Sequence, residues 1–193
     1  MLYPNLKLVA ADIVWTRKIK YLGVNFCSGK YVCVDLSDRM RTYYAAVNSI
    51  ISHTKNVNDI LKLNLLETYT LPILKSACEI LLCNNNTLDI LNVCWNNVFR
   101  KVFKMNRWKS VKMVQFYCGR MDFIHIHHFE KLKFIAKLSN CNNIAVSTCY
   151  KLFSHSNELQ TLSRFYDILQ DYSNNSLKVS IYKHFKALCN LLN

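Results

Sequence analysis

Cys94-Trp95-Asn96-Asn97-Val98-Phe99-Arg100-Lys101-Val102-Phe103, closed by Asn106-Arg107-Trp108-Lys109-Ser110-Val111, decides how the chain reads. Leu91, Trp95, Val98 and Val102 recur at three- and four-residue steps, the period of a helix with one buried stripe. The pattern predicts a helix from Leu88 to Met105 that breaks at a turn. Asn97, Arg100, Lys101 and Lys104 fall on its remaining surface, where cations can reach a phosphate backbone. In the turn, Arg107-Trp108-Lys109 sets an aromatic between two cations, a combination suited to base stacking or cation–π contact. On spacing alone both Trp95 and Trp108 read first as core residues, with Trp108 kept as a candidate for its cationic neighbours.

Upstream, Leu36, Met40, Tyr43, Tyr44, Val47, Ile50 and Ile51 keep the helical period, with Ser37 or Asp35 available as the N-cap. A second helix begins near Asn58 or Asp59 and carries Leu61, Leu65 and Tyr69. Pro72 should kink or split it, because proline removes a backbone donor and crowds the preceding turn. Asn84-Asn85-Asn86-Thr87 reads as a break. Downstream, Ser110 caps a short helix and Asp122 caps one ending near Leu138. Composition shifts at Ser139-Asn140-Cys141-Asn142-Asn143, and amphipathic pieces follow at Ala145 to Phe153, Leu159 to Leu169 and Leu177 to Leu192.

The first residues look like strands. Leu6 to Val9 and Ile13 to Trp15 flank a turn at Ala10-Ala11-Asp12; Ile19 to Phe26 alternates with period two, and Ser28-Gly29-Lys30 turns into Tyr31 to Val34. Gly23 in that run either admits a close backbone, such as a sugar-phosphate chain, or simply allows a bulge. Spacing favours the bulge. The fold expected is therefore mainly α: a small N-terminal antiparallel β-hairpin region, then an antiparallel helical bundle.

Composition narrows the partners. The net charge is +13 over 193 residues, and from Asn96 to Lys137 ten Lys or Arg stand against two acids, Asp122 and Glu130. Such a field attracts polyanions, nucleic acid first among them. A bias toward A/T-rich codons, visible in 21 Asn and 18 Lys, accounts for some lysine but not for the clustering. Three glycines and two prolines suit helices, and 51% hydrophobic residues suffice for a core. Nine irregularly spaced cysteines do not form a secreted disulfide framework. With no signal peptide at Met1-Leu2-Tyr3-Pro4 and no long apolar run, the expectation is an intracellular protein of the cytoplasm or nucleus, off the membrane.

Chemistry is harder to find. His125, His127, His128 and Cys118 lack the CxxC or HExxH spacing of a zinc site, and two imidazoles on one face rarely hold structural zinc. Asp35 and Asp38 are the nearest approach to an acid pair and fit helix capping better. Two-metal phosphoryl chemistry needs paired aspartates, so no catalytic residue, metal ligand or cofactor is assigned to the chain.

Several motifs taken together resemble the reverse transcriptases of non-LTR retrotransposons, LINE elements of the jockey type. Leu6-Lys7-Leu8 with Ile13-Val14-Trp15 looks like the strand pair after the catalytic aspartates, and Ile19-Lys20-Tyr21-Leu22-Gly23-Val24 resembles the primer-grip hairpin. Arg41-Thr42-Tyr43-Tyr44-Ala45-Ala46-Val47-Asn48-Ser49-Ile50 resembles the first thumb helix. Glu67-Thr68-Tyr69-Thr70-Leu71-Pro72-Ile73-Leu74 resembles the second, with Thr68 where serine is usual. The Trp95 to Val111 block and Gly119-Arg120-Met121-Asp122-Phe123 follow in the family's order, so the likeness runs from Leu6 to Leu138.

The resemblance implies residues 1–34 as a remnant of palm and primer-grip hairpins, 35–138 as a thumb-like helical domain and 139–193 as a helical tail outside the likeness. It implies binding to RNA, an RNA–DNA hybrid or DNA through Lys18, Lys20, Tyr21, Gly23, Arg100, Lys101, Lys104, Arg107, Trp108 and Lys109. The fingers, the palm and the Tyr-x-Asp-Asp turn that would hold Mg2+ have no counterpart, and Ala10-Ala11 replaces the usual turn glycine. An opening at Met1 inside the palm looks like a reading frame from a 5′-truncated element copy, without polymerase activity of its own. The missing palm would be the packing partner of an apolar underside at residues 6–34, which predicts poor solubility. The competing readings are a basic helical module that docks a protein or RNA–protein partner, and a non-functional relic.

Overall fold

The computed structural model describes residues 7–8, 11–12, 16–21, 23–29, 33–76, 78, 85–154, 162, 166 and 174–190. Its Cα positions divide into two compact units, Met1–Arg41 and Thr42–Asn193. The strands lie in the first, and the helices, apart from the opening residues Ser37 to Arg41 of the first one, lie in the second, so the chain is mainly α with a small N-terminal antiparallel sheet region.

In the first unit, β1 (Lys7–Leu8) pairs antiparallel with β2 (Ala11–Asp12), Lys7 opposite Asp12 and Leu8 opposite Ala11. Ala11 and Asp12 are therefore strand residues, not the turn expected from sequence, and Ile13 to Trp15 lies outside the described residues. The alternating run Ile19 to Phe26 is not one strand either. It splits into β3 (Lys18–Tyr21) and β4 (Val24–Cys27), paired from Lys18–Cys27 to Tyr21–Val24. Gly23 turns the chain at φ +80°, a backbone region that costs other residues about 1–2 kcal/mol. The β5 strand (Cys33–Asp35) completes the order β3-β4-β5; Tyr31 and Val32 of its expected run fall outside the described residues.

The first helix, α1 (Ser37–His53), starts where Asp35 Oδ1 accepts from both the N–H and the hydroxyl of Ser37, at 2.9 and 2.6 Å. Asp35 takes the capping role that sequence left open between the two. In the second unit, α1 buries Tyr43 and Val47, whereas Ala45 of the Ala45-Ala46 pair is exposed.

The α2 helix (Asp59–Lys75) starts at the N-cap Asn58, whose side chain accepts from Ile60 N–H at 2.8 Å. It runs through Pro72, which sits in the final turn; the missing donor removes a bond there instead of dividing the helix. Leu63, Leu66, Leu71 and Leu74 are buried. Next, α3 (Asn85–Val102) begins inside the asparagine run read as a break and packs on α2. All of the stripe expected from the sequence (Leu91, Trp95, Val98 and Val102) is buried, joined by Leu88, Cys94 and Phe99.

Short α4 (Lys112–Tyr117) follows, with Ser110 Oγ accepting weakly from Lys112 N–H at 3.4 Å. Asp122 caps α5 (Phe123–Ser139) through His125 N–H at 3.0 Å, as its position predicts. The C-terminal stretch packs on α5 through α6 (Ile144–Ser154) and α7 (Asn174–Asn190). Leu177, Ile181, Phe185 and Cys189 form the buried stripe of α7, and Leu132, Ile135 and Tyr166 join Leu177 and Ile181 in one apolar cluster. Of the expected Leu159 to Leu169 helix, only Leu162 and Tyr166 are among the described residues. No helix among them is long and apolar enough to cross a membrane.

Candidate nucleic-acid interface

The end of α3 is a built structure. Met105 N–H donates to the Arg100 carbonyl at 2.9 Å while Lys104 stands at φ 51°, the geometry that closes a helix by turning one residue left-handed. Glycine is the usual occupant, and lysine holds this place at a cost. Met105 continues the apolar spacing, but this turn removes it from the helix, which ends at Val102.

Asn106 then organises the loop. Its side-chain oxygen accepts from Trp108 N–H at 3.0 Å and its carbonyl accepts from Lys109 N–H at 3.1 Å. Asparagine favours this turn because its short amide reaches back to the following backbone. The consequence is an indole held out in solvent: Trp108 is 84% exposed, with the Arg107 guanidinium 5.2 Å from its ring centroid. Trp95, in the same sequence block, is fully buried, meets Phe99 edge-on at 5.2 Å and donates from Nε1 to the Met121 carbonyl at 3.0 Å. The core reading holds for Trp95 and fails for Trp108, because the left-handed turn at Lys104 takes the chain off the buried face.

The six candidates of this block do not share one role. Lys104, Arg107, Trp108 and Lys109 are all exposed around the loop. Arg100 is half-buried: its Nη1 donates to Asn97 Oδ1 at 3.0 Å and its Nη2 to the Lys109 carbonyl at 3.3 Å. Lys101 is exposed but committed, donating to Asn48 Oδ1 at 2.6 Å and lying 5.6 Å from the Tyr44 ring centroid. Tyr44 in turn accepts from Asn97 Nδ2 at 3.1 Å, and burial raises the pKa of its hydroxyl, which stays neutral. Residues one turn apart on α1, Tyr44 and Asn48, thus meet residues one turn apart on α3, Asn97 and Lys101. The partners named here are neutral amides, a carbonyl and a phenol, and the sequence from Arg100 to Lys112 holds no acid to offset its cations.

The remaining candidates lie in the other unit. Lys18 forms an ion pair with Asp35 Oδ2 at 2.7 Å, and that hydrogen bond raises its pKa. Lys20 and Tyr21 are exposed on β3, as is Ile19. A Cβ built on Gly23 meets nothing within 4 Å, so its φ, not crowding, requires glycine.

His125, His128 and His184 lie around the Tyr166 ring, with centroids 6.2, 5.6 and 5.3 Å from it. Asp122 Oδ1 lies 2.5 Å from His125 Nδ1, and His125 Nε2 lies 3.1 Å from His184 Nδ1, a chain linking the start of α5 to α7. His128 Nδ1 lies 2.6 Å from the Tyr166 hydroxyl, and His127 Nε2 lies 3.2 Å from the Cys78 carbonyl. Among the described residues no group of three or more His, Cys, Asp or Glu can hold a metal ion. Asp122-x-x-His125 carried a local signal for the first link, whereas His184 is distant in sequence and carried none.

No protein-family model, curated protein or solved structure matches this chain.

Proposed function

We propose that this chain is the primer-grip and thumb portion of a non-LTR retrotransposon reverse transcriptase, and that it holds RNA, an RNA–DNA hybrid or DNA by its backbone without polymerase chemistry of its own. One observation carries the binding part: Lys104, Arg107 and Lys109 stand exposed around one loop, in a stretch without a single carboxylate from Arg100 to Lys112. Cations so placed neutralise phosphates and release counterions, which gives affinity with little sequence choice. The ordered motifs from Leu6 to Leu138 support the family part. In an intact enzyme of that family, Mg2+ belongs to palm aspartates, for which this chain has no matching motif.

Equilibrium binding to an RNA–DNA hybrid across a salt series tests this. Affinity should fall steeply with salt, and Lys104→Ala/Arg107→Ala/Lys109→Ala should flatten the slope by about 0.9 for each phosphate no longer neutralised. Salt-independent binding, or none by a folded protein, defeats the proposal.

A second reading is a helical module whose basic face docks an acidic protein or RNA–protein partner, with an exposed apolar side of α2 to extend the contact. Leu61 and Tyr69 are exposed on one side of α2, and apolar groups so placed suit a protein partner. Stoichiometric capture of a protein, abolished in Leu61→Asp/Tyr69→Asp, favours this reading over the first.

A further inference from the structure

The loop that follows α3 does more than collect charge, because it spends three hydrogen bonds on fixing an exposed tryptophan. Exposure alone does not mark a site, but an exposed indole held by a braced backbone between cations is placed to stack on a flat ligand. Trp108 has a backbone N–H held by Asn106 Oδ1 and a following residue held twice, through Lys109 N–H to the Asn106 carbonyl and through the Lys109 carbonyl to Arg100 Nη2. The left-handed Lys104 fixes where this loop departs from α3. The ring is therefore presented by a braced backbone, with a guanidinium beside it and further cations at Lys104 and Lys109.

We propose that Trp108 is a stacking platform for an unpaired base, so that the ligand of this loop is single-stranded nucleic acid or the open end of a duplex. The inference rests on the nucleic-acid reading above and narrows it. Within a continuous duplex each base is covered on both faces by its neighbours, so a protein meets base edges, sugars and phosphates but no free π-face. An indole gains nothing there. An unpaired base presents a free π-face of any sequence, and the phosphates flanking it fall to the surrounding cations. Arg107 adds a planar cation able to continue the stack on the ring it already accompanies.

The test compares two probes: a single-stranded oligothymidylate, and a duplex closed at both ends by non-nucleotide linkers, which has no unpaired base. Trp108→Ala should weaken the oligothymidylate complex about tenfold, the scale of one stacked base, and change closed-duplex binding less than about twofold. Trp108→Phe should restore most of the affinity, because a smaller ring still stacks. Lys104→Ala/Lys109→Ala should weaken both complexes by similar factors. Equal weakening of both probes in Trp108→Ala, or of neither while the wild type binds, overturns the stacking platform and leaves backbone binding standing. If the folded wild type binds neither probe, the nucleic-acid reading falls and the platform with it. Trp108 is so exposed that its replacement should leave the melting temperature unchanged, which separates a missing stack from a damaged fold.

Discussion

Arg100 donates from Nη2 to the main-chain carbonyl of Lys109 at 3.3 Å, so a residue of α3 holds the far side of the loop that presents Trp108. With its Nη1 on Asn97, the guanidinium ties the body of the helix to that loop through two acceptors at once. Arg100 thus belongs to the interface as its brace more than as a free phosphate ligand.

Arg100→Lys keeps the charge but cannot span both acceptors, since an ammonium lacks the planar fork. It should cost about 1–2 kcal/mol of stability in urea unfolding. It should also weaken nucleic-acid binding nearly as much as Arg100→Ala. If Arg100→Lys binds like wild type while Arg100→Ala does not, charge and not bracing is what Arg100 supplies.

Lys104→Gly should stabilise the protein by about 1 kcal/mol, because glycine adopts φ 51° without the penalty lysine bears. Affinity for nucleic acid should fall slightly in the same variant, which has one cation fewer. A thermal melt with a binding titration checks both signs, and a lower melting temperature would contradict the helix-closing role.

Trp95→Ala and Trp108→Ala should differ sharply although both residues lie in one sequence block. The first empties a fully buried site and orphans the Met121 carbonyl, a destabilisation of about 3–5 kcal/mol. The second should stay within about 0.5 kcal/mol of wild type. Paired denaturation curves decide it.

Acid should loosen the packing of α5 against Tyr166 and α7. Burial, helped by the neighbouring His127 and His125, lowers the His128 pKa from 6.5 to about 4, and burial likewise lowers that of His184. Burial alone would raise the Asp122 pKa above 3.8, but the bond and charge of His125 outweigh it and lower the value. The unfolded chain therefore takes up protons before the folded one does. The histidine contribution is complete above pH 6.5 and drains away as pH falls toward about 4, with that of Asp122 following below 3.8. His128 alone should cost about 2 kcal/mol by about pH 5. Melting curves at neutral and mildly acid pH should separate for wild type and lie closer together for His128→Gln; parallel shifts in both would place the acid sensitivity elsewhere.

Much of the fold was legible in the chain, because a helix repeats its burial every few residues. The stripe Leu91, Trp95, Val98 and Val102 announced α3, and the short polar side chains of Asn58 and Asp122 announced helix starts they do cap. These signals are local: a few adjacent residues contain the whole of the physics. Strand limits were less legible, since alternation alone does not say where a run folds back, and Gly23 split one apparent strand into two.

The sequence by itself determined that the chain is mainly helical, strongly basic, and densest in cations between Asn96 and Lys137. Only the tertiary structure decided which tryptophan is core and which is surface, that Arg100 braces a loop, and that His125 meets His184 across the chain. The physical reason is the same in each case. Composition and periodicity depend on neighbours along the chain, whereas exposure and hydrogen-bond partners depend on where a left-handed residue such as Lys104 sends it and on which distant helix packs alongside.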